Sequence, residues 1–286
     1  QQTVEIGMSV YDELLKTQTI PHAYENWAEY RRELTEYLTG VTDAGSTLAV
    51  FGAGSCNDLD LCMLREHFSQ ITLIDCQKES MFAALDTYQL REDASLVLKE
   101  ADFLGITPAE YREYADDVLR MIQVEGKDTD MSEVAEYAIL RMKELYARAE
   151  RRPLDFGEKT YDYAIAAGVH SQINNMFAWL WQVYLEAVGT WETTVFDYVK
   201  QKNEEVIPRF QEAFYRSVKK GAVLACERKR IGRDGGIQGA CQVLKDAIDR
   251  QDAGKCLIDE SIALRWPFDT AQGITYQMSV LHIVPA

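Results

Sequence analysis

Over residues 24–38 the apolar side chains Trp27, Tyr30, Leu34, Tyr37 and Leu38 recur at helical spacing, and Gly40 stands where such a helix would stop. The period then changes. Residues 48–51 form a short unbroken apolar run ending in a glycine-rich turn, and helical spacing resumes over 57–67. A second apolar run, 71–74, is β-branched at 71 and 72 and stops at Asp75; a helix over 79–90 and a strand over 96–98 continue the alternation. Residues 107–152 carry two helical patterns and no strand. The first opens on a capping box, Thr107 and Glu110 with Pro108 between them; the second runs over 131–149 until Pro153 bars it. The strand signal returns at 163–167, followed by a helix through Trp179, Val183 and Tyr184 and another over 195–218, then a fifth strand at 222–226. Residues 261–266 and 274–284 read as two strands with no long helix between them. Strand–helix units followed by a strand pair predict an α/β fold, a mostly parallel sheet with an antiparallel edge and a helical insertion after the third strand.

The strongest chemical signal is the segment LAVFGAGSCNDLDL, in which Gly52 and Gly54 lie between a predicted strand and a predicted helix. Glycine there lets the backbone approach a ligand, and a helix start presents free N–H groups. Asp75 ends the second strand, where a carboxylate can accept both ribose hydroxyls of an adenosine. Its plainer role is a turn or helix cap, and the glycine turn ahead of it favours the ribose. A dinucleotide oxidoreductase would use the same two devices, but Asn57 stands where the third glycine of GxGxxG belongs. A side chain there obstructs helix packing and pyrophosphate approach, which argues against NAD or FAD.

With its motifs in this order, the chain resembles the class I S-adenosylmethionine-dependent methyltransferases over residues 45–284 outside the insertion. The resemblance implies a three-layer Rossmann-like sandwich with a seven-stranded sheet whose last strand is antiparallel, and S-adenosylmethionine as cofactor. It implies that Gly52, Ala53 and Gly54 approach the methionine moiety, with Asn57 and Asp58 supporting its amino acid end. Asp75 would hold the ribose and Asp102 the adenine, with Cys76 and Phe103 as walls of the adenine pocket; Gly168 opens the fourth-strand motif. Two departures stand out. Val50 occupies a position where many members carry an acid, and Gly168, Val169, His170, Ser171 and Gln172 replace the NPPY signature of amino-group methylation of bases or glutamine. His170 and Gln172 are the substrate-lining candidates. An imidazole can remove a proton from an acceptor near neutral pH, although ordering a loop is the favoured role for His170, and aligned methyl transfer needs no base.

Composition narrows the partners. The chain has 286 residues, 47% of them hydrophobic, enough for one large core; it divides into an N-terminal helical segment, 1–44, and a catalytic domain, 45–286, carrying the insertion 107–152. With 46 acidic against 30 basic residues the net charge is −16, a field that repels phosphate backbones. Nucleic acid is therefore not the expected substrate, and the basic stretch from Lys219 to Arg233 reads as a solvated strand end. Six cysteines without a CxxC pair imply reduced thiols, no zinc and a cytoplasmic protein. Residues 1–7 lack a signal-peptide pattern, and the most apolar segment, 176–188, is too short to span a bilayer and is broken by Gln182 and Glu186. The insertion, with Tyr11, Tyr24 and Trp27, is expected to cover the acceptor site or to form a dimer interface; the aromatic cluster Met176, Phe177, Trp179 and Trp181 is expected in the core. The expected activity is methyl transfer to a small molecule, with a protein side chain second. The alternatives are a non-catalytic adenosine-binding protein and a nicotinamide-dependent oxidoreductase.

Overall fold

The computed structural model describes residues 9–286; residues 1–8, where the leader pattern was judged and where the 1–44 segment begins, lie outside the described residues. In chain order the helices are α1 (Val10–Thr17), α2 (Ala23–Asn26), α3 (Ala28–Gly40), α4 (Leu61–His67), α5 (Lys78–Thr87), α6 (Pro108–Glu125), α7 (Met131–Glu150), α8 (Met176–Val188), α9 (Thr194–Arg216) and α10 (Gln238–Asp252). The strands are β1 (Thr47–Phe51), β2 (Gln70–Asp75), β3 (Leu96–Glu100), β4 (Tyr161–Ala167), β5 (Val218–Arg230), β6 (Cys256–Asp269) and β7 (Ile274–Pro285). They form one seven-stranded sheet in the order β3-β2-β1-β4-β5-β7-β6. All neighbours from β3 to β5 pair in parallel, while β7 runs antiparallel to both β5 and β6.

The last two strands thus form the antiparallel edge that the sequence pattern suggested, with β7 on the inside and β6 outermost. A short turn joins β6 to β7, so the two must be antiparallel neighbours. Burial decides which lies inside: Met278, Val280 and Ile283 of β7 are fully covered, whereas β6 exposes Leu257.

Period-two alternation sends side chains to two cores. Leu48, Val50, Ile71, Leu73, Tyr163, Ile165, Val223 and Ala225 meet Tyr30, Leu34 and Leu38 of α3, Leu61 and Leu64 of α4, and Met81 and Ala84 of α5. Ala49, Phe51, Ala164, Ala166, Ala222 and Leu224 face Ile207, Phe210 and Phe214 of α9 and Ala240, Val243 and Ala247 of α10. These are the three layers the resemblance implied. Helix α10 was not anticipated, because two of its three core contacts are alanines and its apolar period is faint.

The chain divides into two compact units. The sheet unit comprises Ile20–Phe103, Leu154–Ile173 and Asn203–Ala286; the helical unit comprises Leu104–Pro153, Asn174–Lys202 and the described chain start up to Thr19. This differs from a division at residue 44. Helix α3 belongs with the sheet because its apolar face is part of the sheet's core, and the helical unit takes in α8 as well as the insertion. Tyr11 falls in the helical unit, Tyr24 and Trp27 in the sheet unit.

Within the helical unit, Phe177 is the hub, with ring centroids 5.2 Å from Tyr111, 4.8 Å from Tyr114 and 5.6 Å from Tyr146. Tyr11 of α1 stacks on Tyr111 at 5.4 Å, and the Tyr184 hydroxyl donates to the Ala115 carbonyl at 2.7 Å. Phe177 and Trp181 are buried as expected, while Met176 and Trp179 are only half-buried. The capping box forms: the Glu110 amide donates to Thr107 Oγ1 and the Thr107 amide to Glu110 Oε2. The two Arg152 guanidinium nitrogens then donate to the two Glu110 oxygens at 2.6 and 2.8 Å. That fork, with help from the Thr107 amide and against the cost of burial, lowers the Glu110 carboxyl to about 2.

Because the folded value lies below the ordinary one near 4.3, this stabilisation is complete above that pH and is lost as pH falls through about 2. Glu110→Ala is expected to lower the unfolding free energy by roughly 2–3 kcal/mol at neutral pH. In urea melts as a function of pH the gap to wild type should close between about 4.3 and 2; a gap independent of pH would assign the effect to packing alone.

Candidate cofactor and acceptor site

The strand order reverses around β1, with β2 and β3 on one side and β4 onward on the other, and in such sheets ligands bind beyond the carboxyl ends of the strands at the reversal. At that point β1 ends and the backbone turns left-handed at Gly52 (φ 69) and Gly54 (φ 49). A Cβ on Gly52 would lie 2.3 Å from Val169 Cγ2, whereas one on Gly54 would meet nothing within 4 Å. Gly52 is thus required by packing against the β4 exit, and Gly54 faces open space. The amides of Gly52 and Ala53 both donate to the Ile74 carbonyl, at 2.8 and 3.2 Å. The Gly54 amide donates to Asp75 Oδ2 at 2.9 Å, while Asp75 Oδ1 accepts from the Gln77 amide at 2.9 Å. One carboxylate therefore fastens the glycine turn to β2 and starts α5, and its remaining lone pairs point from a half-buried position.

Helical spacing placed a helix start at residue 57, but α4 begins at Leu61. The intervening loop is held in another shape. Arg31 Nη1 donates to the Asn57 carbonyl at 2.9 Å, the Tyr88 hydroxyl donates to the Cys56 and Leu59 carbonyls at 3.2 and 2.8 Å, and the Asp60 amide donates to Thr35 Oγ1 at 3.0 Å. Asp60 then caps the Cys62 and Met63 amides itself. Free helix amides beside the glycine turn, expected from the sequence, are consequently not what this loop offers. Asn57 and Asp58 lie in the loop. Burial pushes the Asp58 carboxyl up to about 7, opposed by its own amide and by Arg31.

Next to Asp75, Cys76 is solvent-exposed, yet desolvation pushes its thiol up to about 12, with negative Asp75 and Asp102 adding to the rise. Asp102 is exposed at the exit of β3, which is tied to β2 by the Ala101 amide donating to the Asp75 carbonyl at 3.0 Å. Asp75, Cys76 and Asp102 thus come together as expected. Phe103 differs: it packs against Phe51, Phe156 and Phe210 at 6.0, 5.7 and 5.1 Å and serves mainly as core.

Gly168, left-handed at φ 62, ends β4. Seven strands with the last in sequence alone antiparallel, a glycine turn after the first and a carboxylate closing the second are together what the resemblance implied. The chain has the fold of the class I S-adenosylmethionine-dependent methyltransferases.

No protein-family model and no curated protein matches the sequence. Among solved structures, a SAM-dependent methyltransferase from Aquifex aeolicus is 12% identical, with 96% of this chain and 98% of that chain covered and a TM-score of 0.46. Magnesium protoporphyrin IX methyltransferase from Synechocystis, with bound SAH, is 8% identical, with 96% and 93% covered and a TM-score of 0.47. A tRNA methyltransferase from B. subtilis is 8% identical, with 88% and 65% covered and a TM-score of 0.41. At these scores the likenesses are descriptive, and the chemistry rests on the residues of this chain.

The segment after Gly168 divides. His170 is buried, its Nε2 lies 2.8 Å from Gln211 Oε1 and its Nδ1 3.9 Å from Cys226 Sγ. Burial lowers the imidazole to about 4, so it is neutral at pH 7 and orders the β4 exit instead of facing an acceptor. Gln172 is exposed. Between them Ser171 Oγ donates to Glu227 Oε1 at 2.9 Å. Glu227, on β5 and buried, was missed because the fifth strand was taken to end at Cys226; a carboxylate terminating the apolar run AVLAC was the available signal. Tyr30 was read only as a helix contact and Trp266 only as strand.

The turn yields a double-mutant test. Gly52→Ala adds a left-handed alanine, about 1–3 kcal/mol, and an overpacked contact with Val169, about 1–3 kcal/mol more. Gly52→Ala/Val169→Ala should recover the second part and not the first, read by urea unfolding of the four-member cycle. Strict additivity would show that the two residues do not press on each other.

Proposed function

We propose that this protein binds S-adenosylmethionine and transfers its methyl group to a small molecule. The observation that carries the proposal is the hydrogen bonding of the glycine turn. All three amides, 52 to 54, are engaged by β2, so none remains to cradle a pyrophosphate, while Asp58, Asp75 and Asp102 surround the turn and the strand exits beside it with carboxyl groups. Such a site disfavours a dinucleotide and suits a cationic adenosine derivative bearing a sulfonium and an ammonium.

On this reading Gly52, Ala53 and Gly54 run alongside the methionine moiety, Asn57 and Asp58 meet its amino acid end, Asp75 accepts from the ribose hydroxyls, and Cys76 and Asp102 border the adenine with Phe103 behind them. When bound, the cofactor supplies a methyl group on a positively charged sulfur that departs as a neutral thioether. The chain's own residues have then to orient the acceptor and keep water out, and His170, neutral and hydrogen-bonded, keeps the β4 exit in place for that.

The net charge of −16 supports an acceptor other than nucleic acid. The basic stretch does not form one patch: Lys219 and Lys220, at the start of β5, face Asp162 and Asp43 at 3.9 and 3.0 Å, and Arg228 and Arg230 stand at the other end of that strand. All six cysteines are free thiols, which suits a reducing compartment such as the cytoplasm. No helix among the described residues is long and apolar enough to cross a membrane.

Calorimetric titration with S-adenosylhomocysteine beside NAD tests the reading. Micromolar binding of the first and none of the second is expected; NAD binding alone would overturn it. Asp75→Ala, checked by melting to be folded, should weaken S-adenosylhomocysteine binding about tenfold to a hundredfold, the range for losing hydrogen bonds to a charged group. Unchanged affinity would remove Asp75 from the ribose site.

A further inference from the structure

Three buried polar atoms in the sheet unit find no hydrogen-bond partner among the described residues and belong to neighbouring side chains: Glu227 Oε2, the Tyr30 hydroxyl and Trp266 Nε1. The residues are 3%, 1% and 4% exposed, so solvent does not satisfy them. Their proximity is fixed by several contacts. A Cβ on Gly168 would lie 3.0 Å from Trp266 Cη2 and 3.6 Å from Glu227 Oε1, and Tyr30 stacks on Trp266 at 5.4 Å. Glu227 and Asp58 both raise the Tyr30 phenol electrostatically, after burial. The cluster lies where β4 and β5 end, beside the strand reversal.

Leaving one buried polar group unpaired costs about 1–3 kcal/mol, and a carboxylate more. Three on neighbouring side chains, one an acceptor, one a donor and one able to be either, form a set complementary to a ligand. Ser171 occupies Oε1 and leaves Oε2 for a donor. Burial raises the Glu227 carboxyl, and its own amide and Ser171 oppose that rise. Trp27, Phe268 and Tyr276 ring Trp266 at 4.8, 4.9 and 6.0 Å, and aromatic faces favour a cation over an anion. Tyr30 also borders a hollow of about 480 Å³ whose α3 wall carries Glu29 and Glu33, with Arg265 among its other lining residues.

We infer that Glu227, Tyr30 and Trp266 anchor the methyl acceptor, and that the acceptor is a small amine with an adjacent oxygen. The amine N–H donates to Glu227 Oε2, and the oxygen accepts from Trp266 Nε1 with the Tyr30 hydroxyl beside it. Carboxylates and phosphates are rejected by the buried Glu227 and by Asp58. This rests on the methyl-transfer reading, and the test separates the two.

The probe is 2-amino-1-phenylethanol, titrated calorimetrically into the full chain with and without saturating S-adenosylhomocysteine, beside neutral 1-phenylethanol and anionic 3-phenylpropionate. Binding of the amino alcohol alone is expected, at least tenfold weaker in Glu227→Gln, with S-adenosylhomocysteine affinity of that variant within twofold of wild type. Its melting temperature should equal or exceed the wild-type value, since the change removes a buried, half-satisfied carboxyl group. Trp266→Phe should erase the preference for the amino alcohol over phenethylamine, which keeps the inference testable if Glu227→Gln misfolds. Absence of amine binding, equal binding of the neutral probe, or binding indifferent to both variants overturns the inference and identifies the orphan atoms as water-filled. Failure of S-adenosylhomocysteine to bind wild type would instead overturn the methyl-transfer reading.

Discussion

The contact between Gly52 and Val169 sets the geometry of everything at the carboxyl edge of the sheet. With a side chain at 52 the exit of β1 could not lie against the exit of β4; with it absent, the chain folds back far enough for its next three amides to reach β2. Asp75 closes that arrangement by accepting from Gly54 and Gln77 at once. The turn and cap role that the sequence also offered for Asp75 is therefore realised, and a ribose role is compatible with it because a carboxylate offers about four acceptor positions. Amides turned toward β2 cannot also surround a phosphate.

Much of this was legible in the sequence. Leu48, Val50, Ala49 and Phe51 are a continuous apolar run because a central parallel strand is covered on both faces, and the GAG that follows interrupts it at the one place where left-handed backbone is needed. Asp75 was picked out by its position at a strand end, and Asp102 by the resemblance. What escaped depends on partners far away in sequence. The helical spacing over 57–67 placed the helix start too early, because Arg31, Thr35 and Tyr88 take the polar backbone groups of the loop before Leu61, and no local pattern announces that. Helix α10 hides behind small core residues. His170 had two plausible roles until Gln211, forty-one residues on, was seen to hold it.

The position of β7 shows the same limit from another side. Two adjacent strand-like segments joined by a tight turn must pair, but which of them continues the sheet follows from comparing their burial, and both segments are apolar enough to be interior. Met278, Val280 and Ile283 win that place. Because β7 is inside, β6 brings Trp266 back toward the middle of the sheet, above Gly168 and against α3.

That consequence links topology to chemistry. A sheet unit built only for stability would fill the space between α3, β4, β5 and β6 with aliphatic side chains, as it does one and two turns further along α3 at Leu34 and Leu38, which are fully buried among apolar neighbours. Instead it places a carboxyl group, a phenol and an indole N–H there, each incompletely satisfied. Replacing a buried charge by packed hydrophobic residues is often neutral or stabilising, so stability does not explain Glu227. Glu227 stands on β5, two strands from the glycine turn, and shares the electrostatic surroundings of Tyr30 with Asp58. The edge of one sheet thus presents two differently built polar regions: one whose donors are already engaged and whose carboxylates face outward, and one closed by aromatic rings around an acceptor still lacking its proton donor.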